Sequence, residues 1–100
     1  MGKEALNIFR ECLPVLQTLS DAHRQDILLL LSENGSLTVN EITERMSLSR
    51  PAISHHLKLL KNAGVVQVEQ QGTQRYYSLS LEESVQLLRE LLVTLERDCI

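Results

Sequence analysis

Apolar residues recur with a helical period on both sides of a short polar turn near the middle of the chain. Before the turn, residues 38–46 place two apolar side chains four positions apart, and Thr38 with Glu41 can form a capping box at the start of the helix. After the turn, residues 49–63 carry an apolar stripe at helical spacing, and Ser49 can cap this second helix. Two short helices joined in this way predict a helix-turn-helix over about residues 38–63.

Two further helices are predicted on the N-terminal side. Residues 3–18 have a broad apolar face, although Pro14 should bend or restart the helix there, because it lacks the amide donor and clashes with the preceding turn. The next helix can be capped by Ser20 or Asp21 and includes the apolar run 27–31. Five successive apolar residues leave little polar surface, so we expect this helix to lie centrally.

The period changes to two after the helix-turn-helix. Residues 65–79 alternate around a polar turn that contains Gly72, which predicts a two-stranded β-hairpin. Residues 81–98 then return to a helical period with a seam of leucines. We therefore expect a mainly α (α+β) fold, with about five helices and one hairpin, in a single domain over residues 1–100. A hairpin that directly follows a helix-turn-helix is the wing of a winged helix.

The distribution of charge supports contact with a polyanion, although the net charge of the 100 residues is −3. Residues 45–75 contain five basic side chains against the one acid Glu69, a net charge of +4 that leaves −7 for the remainder. A locally basic surface on an acidic body can still dock on DNA. No apolar run is long enough for a membrane span and no signal peptide is evident, so we expect a cytoplasmic protein without membrane contact.

Three segments together resemble the ArsR/SmtB family of small bacterial winged-helix repressors. They read LSDAHRQDILLLL, SRPAISHHLKLLKNAGVV and QQGTQRYYSLS, and the likeness covers roughly residues 16–96. The resemblance implies a homodimeric repressor that binds a palindromic operator in double-stranded DNA, with the first and last helices packed together at the dimer interface.

The residues predicted to contact DNA lie on the second helix of the motif and on the wing. The N-terminal half of that helix enters the major groove in helix-turn-helix proteins, where Arg50 could bridge guanine O6 and N7. The adjacent histidines His55 and His56 point about 100° apart on a helix, so both cannot share one role. The predicted contact residues are Ser49, Arg50, Ala52, Ser54, His55, His56, Lys58, Lys61, Gln71, Thr73, Gln74 and Arg75.

The metal sites common in the resembled family have no matching ligands in this chain. One site uses a Cys-x-Cys pair, and the corresponding residues are Thr38 and Asn40. The other uses Asp, His, His and Glu or His along the last helix, across the dimer, and the best alignment places Leu81, Glu83, Thr94 and Arg97 there. We therefore expect no metal ion and no cofactor, and a repressor that is not a metal sensor of the usual type.

The two cysteines leave the inducing signal open. Cys12 can be a small apolar residue on the first helix and Cys99 a residue in a frayed terminus. Alternatively, they form a thiol switch, or a site for arsenite or another soft ion that would have to be shared across a dimer. A winged helix used only for protein contacts is another alternative, but it would favour an acidic or apolar outer face. No constellation of catalytic groups supports an enzyme.

The apolar seam of the last helix is too wide for a monomer of this size to cover, which predicts a dimer; the alternative is that the helix packs only on its own domain. The predicted interface residues, drawn from the first and last helices, are Leu6, Phe9, Leu13, Leu81, Val85, Leu88, Leu92 and Leu95.

Overall fold

The computed structural model describes the backbone of residues 2–99 and the side chains of residues 2–98. This part of the chain forms five helices and three short strands. The predicted winged helix-turn-helix, mainly helical with a small antiparallel sheet, is confirmed. In chain order the elements are α1 (Lys3–Thr18), α2 (Ala22–Asn34), β1 (Ser36–Leu37), α3 (Val39–Arg45), α4 (Arg50–Asn62), β2 (Val66–Gln71), β3 (Gln74–Leu79) and α5 (Glu82–Cys99).

The main core lies between α2, α3, α4 and the sheet. Its fully buried members are aliphatic, as expected from a chain with only three aromatic residues. Those on α3 and α4 come from the apolar stripes that the helical period predicts, those on α2 from its apolar run, and Val65 from the link between α4 and β2. The largest of them are Ile27, Leu31, Ile42, Ile53, Leu57, Leu60 and Val65.

The sheet has three strands rather than the two that were predicted. Ser36 and Leu37 pair with Ser78 and Tyr77 of β3, so β3 lies between β1 and β2. The short strand follows Gly35, whose φ of 82° ends α2 in a backbone conformation that favours glycine. Two residues are too few to show an alternating pattern, which explains why the hairpin alone was expected. The extra pairing ties the base of the wing to the start of α3.

Helices α1 and α5 pack against each other beside the main core, to which α1 contributes Val15. Their own small apolar cluster contains Ile8, Cys12 and Leu91. Of the predicted bend or restart near residues 10–14, the restart is wrong, because α1 is continuous from Lys3 to Thr18 with the proline inside it. Pro14 lies on the exposed side of the helix, where water can satisfy the carbonyl group that loses its amide partner.

Candidate nucleic-acid interface

The N-terminus of α4 is fixed by the cap that the sequence predicts. The hydroxyl of Ser49 accepts a hydrogen bond from the amide of Ala52 at 3.3 Å, and Pro51 occupies the first turn. On the opposite side of the turn, Thr38 and Glu41 form the predicted capping box of α3, at 3.2 and 3.0 Å. Both helices of the motif therefore start at defined positions, which sets the direction of the side chains in their first turns.

One face of α4 is available to a partner. Ile53, Leu57 and Leu60 are buried, and the opposite face carries Pro51, Ser54, His55, Lys58 and Asn62. All of this second group is exposed except Ser54, which is half-buried. Lys61 is exposed near one edge of the face, and Ala52 is half-buried on its other side. Hydroxyl, imidazole and ammonium groups at these positions can donate to base edges and to phosphates.

The two adjacent histidines lie in different environments. His55 is exposed, whereas His56 is half-buried and its Nδ1 lies 3.3 Å from a terminal nitrogen of Arg24. Since a guanidinium only donates, Nδ1 accepts this hydrogen bond and carries no proton. Burial lowers the pKa of His56, and the nearby charge of Arg24 lowers it further against the raising effect of Asp21. His55 is therefore the histidine placed for a partner, and His56 connects α4 to α2.

Arg50 is held by a residue of the preceding helix. Its Nε donates a hydrogen bond of 2.8 Å to the side-chain oxygen of Asn40, and both residues are exposed. Arg50 was predicted from the sequence, whereas Asn40 was considered only as a position that lacks a thiol. The signal that could have found it is geometric: in a helix-turn-helix the first turns of the two helices lie on either side of one short turn.

The wing places its polar tip beside the motif. Strands β2 and β3 are joined at Gly72, whose φ of 64° suits the tight turn. The predicted wing residues Gln71, Thr73, Gln74 and Arg75 are all exposed. Their amide, hydroxyl and guanidinium groups can reach a groove or a phosphate, as expected from the sequence.

A polar cleft of about 500 Å³ lies between the wing and the two helices of the motif. Two cations, four hydroxyl-bearing residues and the asparagine of α3 line it, so the cleft is suited to an anionic ligand such as a nucleic-acid backbone. The polar residues that line it are Asn40, Arg50, Ser54, Thr73, Gln74, Arg75 and Tyr77, together with Thr38 at the cap of α3.

The positions of the family's usual metal sites are occupied by other interactions. Thr38 and Asn40 are engaged in the capping box and the Arg50 contact. On α5, Thr94 is buried, and Arg97 donates to Glu4 at 2.8 Å, joining the end of α5 to the start of α1. Within the described residues, no three His, Cys, Asp or Glu side chains are grouped so that they could hold a metal ion.

Cys12 is fully buried between α1 and α5, with its Sγ 3.9 Å from the carbonyl oxygen of Leu87. Burial raises the pKa of this thiol, and the carboxylates of Glu11 and Glu90 raise it further. A buried thiol without a thiolate fraction reacts slowly. The side chain of Cys99 lies outside the described residues, so the distance between the two thiols is not defined.

A capped helix-turn-helix, with an exposed polar and basic second helix beside a β-wing, defines a winged-helix DNA-binding regulator. A sequence model described as bacterial regulatory protein, arsR family, matches residues 21–68. The chain belongs to the ArsR family and is a transcriptional regulator, not an enzyme.

Individual relatives agree with this assignment. The chain is 35% identical to an uncharacterised HTH-type transcriptional regulator of Methanocaldococcus jannaschii, over 83% of this chain and 97% of that protein. It is 40% identical to the transcriptional repressor SdpR of Bacillus subtilis, over 71% and 81%. The solved structure of reduced HlyU from Vibrio cholerae superposes with a TM-score of 0.73 at 25% identity, covering 99% of this chain and all of that one. In the described part of the chain, no helix has the length and apolar character needed to span a membrane.

Proposed function

We propose that the chain is a homodimeric repressor that binds a palindromic operator, with α4 of each protomer in the major groove. The main support for this proposal is the exposed polar and basic face of α4. This face begins at the capped N-terminus of the helix and borders the polar cleft beside the wing. We assign contact with base edges to Arg50, Ser54 and His55, and contact with phosphates to Lys58 and Arg75. His56 is assigned to holding the helix in place, because its ring is occupied by Arg24.

The basic character of this surface favours DNA over a protein partner. The segment 45–75 has a net charge of +4, and its one acid, Glu69, lies on the exposed side of the wing. Phosphate neutralisation supplies much of the affinity of proteins for DNA. A surface made for protein contact would instead expose large aromatic and apolar anchors, whereas the outward residues of α4 other than Pro51 are polar or basic.

The apolar stripe on α1 and α5 supports the homodimer. Six of the eight predicted interface residues are exposed in the single chain, while Leu88 and Leu95 are half-buried against the small cluster between these helices. Leu16, which was not among the predicted interface residues, continues the stripe on α1. Covering one of these side chains with a partner stabilises the dimer by at most roughly 1.5–3 kcal/mol, because most of them are already more than half buried in the single chain. The exposed members of the stripe are Leu6, Phe9, Leu13, Leu16, Leu81, Val85 and Leu92.

The shape of the protomer is consistent with an unpartnered layer. The radius of gyration is 15.7 Å, whereas a compact domain of this length has about 13 Å. This excess fits the arrangement of α1 and α5, which form a layer with its own small cluster beside the main core. A two-fold dimer through this layer would present two α4 helices to half-sites about one helical turn apart.

A gel-shift experiment with DNA from upstream of the chain's own gene tests this function. We expect a complex that resists unlabelled non-specific DNA and weakens as salt rises. Equal displacement by specific and non-specific competitor would overturn the proposed operator binding. Repeating the titration with reductant, oxidant, zinc and arsenite tests the thiol and soft-ion alternatives, for which the buried Cys12 gives no support.

A further inference from the structure

The contact between α3 and α4 orients the side chain of Arg50. The Nε of Arg50 donates to the Oδ1 of Asn40 at 2.8 Å, across ten positions of sequence. A guanidinium has no acceptor, so the oxygen of the asparagine amide must face it. The contact therefore fixes both groups: the plane of the guanidinium and the orientation of the amide.

Both partners of this contact are anchored by helix caps. Asn40 lies between Thr38 and Glu41, the two residues of the capping box on α3. Arg50 is the first residue of α4, directly after the cap at Ser49. The hydrogen bond to Asn40 and the adjacent helix cap restrict the rotamers of Arg50 before a ligand binds, so less ordering entropy opposes binding.

The contact leaves the recognition end of the arginine available. Nε is used by Asn40, and within the described residues the two terminal nitrogens of Arg50 donate no hydrogen bond. These two nitrogens are the pair that reaches O6 and N7 of guanine in the major groove. Arg50 also lines the polar cleft together with Ser54 and Arg75, on the side where the wing would flank the DNA.

We infer that Asn40 is a positioning residue that sets Arg50 for recognition of one guanine in each operator half-site. Asn40 contributes to sequence preference through Arg50 and not through a DNA contact of its own. The inference rests on the proposed function, since it requires that α4 reads a DNA sequence. It goes further in naming a determinant of specificity on α3, outside the recognition helix.

The test starts from DNA selected by the full-length wild-type protein out of a random-sequence pool. Affinities are then measured for the selected duplex and for a panel with each base pair replaced in turn. The proteins compared are wild type, Arg50→Ala, Asn40→Ala, the double variant and Asn40→Asp. The readout is the ratio of affinities for the selected and replaced base pair, because a uniform loss of binding cancels in that ratio.

We expect Arg50→Ala to lower the ratio about 5- to 150-fold at one G·C position of each half-site and to leave the other positions unchanged. Asn40→Ala should lower the same ratio at the same base pair. When Arg50→Ala is already present, adding Asn40→Ala should change the ratio less than about twofold. Asn40→Asp retains an oxygen acceptor for Nε, so it should recover the preference while its negative charge weakens binding to all sequences alike.

Three results would overturn the inference: a preference profile of Asn40→Ala that equals the wild type, a loss at a different base pair, or additive losses in the double variant. The last two would mean that Asn40 contacts DNA itself. Failure of the wild-type protein to enrich any sequence is a separate result, because it rejects the proposed function.

The matched control is Asn7→Ala, which changes an exposed asparagine on α1 and should keep the full preference profile. Thermal unfolding of each variant identifies any loss of folding.

Discussion

A terminal nitrogen of Arg24 lies 3.3 Å from Nδ1 of His56, so one side chain of α2 is hydrogen-bonded to α4. The same guanidinium donates through Nε to the carbonyl oxygen of Thr18 at 2.7 Å, at the end of α1. The backbone amide of Arg24 also donates to Asp21 at 3.0 Å, in the predicted N-cap of α2. Arg24 therefore joins the proposed dimerisation layer to α4, the proposed recognition helix, through two direct hydrogen bonds of one side chain.

The state of His56 should make stability depend on pH. Burial, with Arg24, His23 and His55 nearby, lowers the pKa of His56 against the raising effect of Asp21. A folded-state pKa below that of the unfolded chain means that the unfolded chain binds more protons, so stability is complete above about pH 6.5 and falls as the pH drops below that value. Asp21 remains ionised in this range, because the hydrogen bond from the Arg24 amide lowers the pKa of its carboxyl group.

Urea unfolding at about pH 7.5 and pH 5.5 measures this effect. His56→Gln keeps an acceptor for Arg24 but cannot titrate, so it should lose less stability between the two pH values than the wild type does. His55→Gln is the matched control on the same helix, since His55 is exposed, and it should behave as the wild type. If His56→Gln and the wild type respond identically, His56 is not the titrating group.

The dimer interface can be tested with two leucines of equal exposure. Leu92, on the proposed interface, is 60% exposed, and Leu29, on α2, is 59% exposed. Leu92→Glu should produce monomers in sedimentation velocity, because a dimer would have to bury the new carboxylate without a partner. Leu29→Glu should sediment as the wild type does. A dimer that survives Leu92→Glu together with Leu13→Glu would place the interface elsewhere.

The burial of Cys12 predicts that it is unreactive in the folded protein. In Cys99→Ser the remaining thiol is Cys12, and a disulfide reagent such as DTNB should label it only after denaturation. Rapid labelling of folded Cys99→Ser would show that α1 and α5 open easily and would restore the thiol switch as a hypothesis. A change in DNA affinity on oxidation of the wild type, absent from Cys12→Ser, would support that switch directly.

Features set by local sequence were predictable. The capping box at Thr38 and the cap at Ser49 need only residue types at fixed spacing, and both are present in the structure. For α2 the sequence allowed Ser20 or Asp21, and Asp21 is the cap. The apolar stripes of the helices follow from the same local period. For the same reason the outward residues of α4, His55 among them, could be identified from the spacing of its apolar residues alone.

Features that depend on contacts distant in sequence could not be predicted. The strand at Ser36 exists because β3 pairs with it, 42 positions later. The different roles of His55 and His56 depend on where Arg24 of α2 is packed. The Asn40 contact likewise depends on how α3 meets α4. Helical period specifies which face of a helix is buried, but it does not specify which side chain of another element lies against that face.

The most direct measurement compares an intact palindrome with its half-site. Wild-type protein is titrated, by fluorescence anisotropy and sedimentation, against a selected inverted-repeat duplex and against the same duplex with one arm scrambled. A homodimer that reads both half-sites should bind the intact duplex as two protomers and lose at least about 100-fold in affinity when one arm is scrambled. Equal affinity for both duplexes, or one protomer bound per intact duplex, would contradict the proposal that a homodimer reads both half-sites.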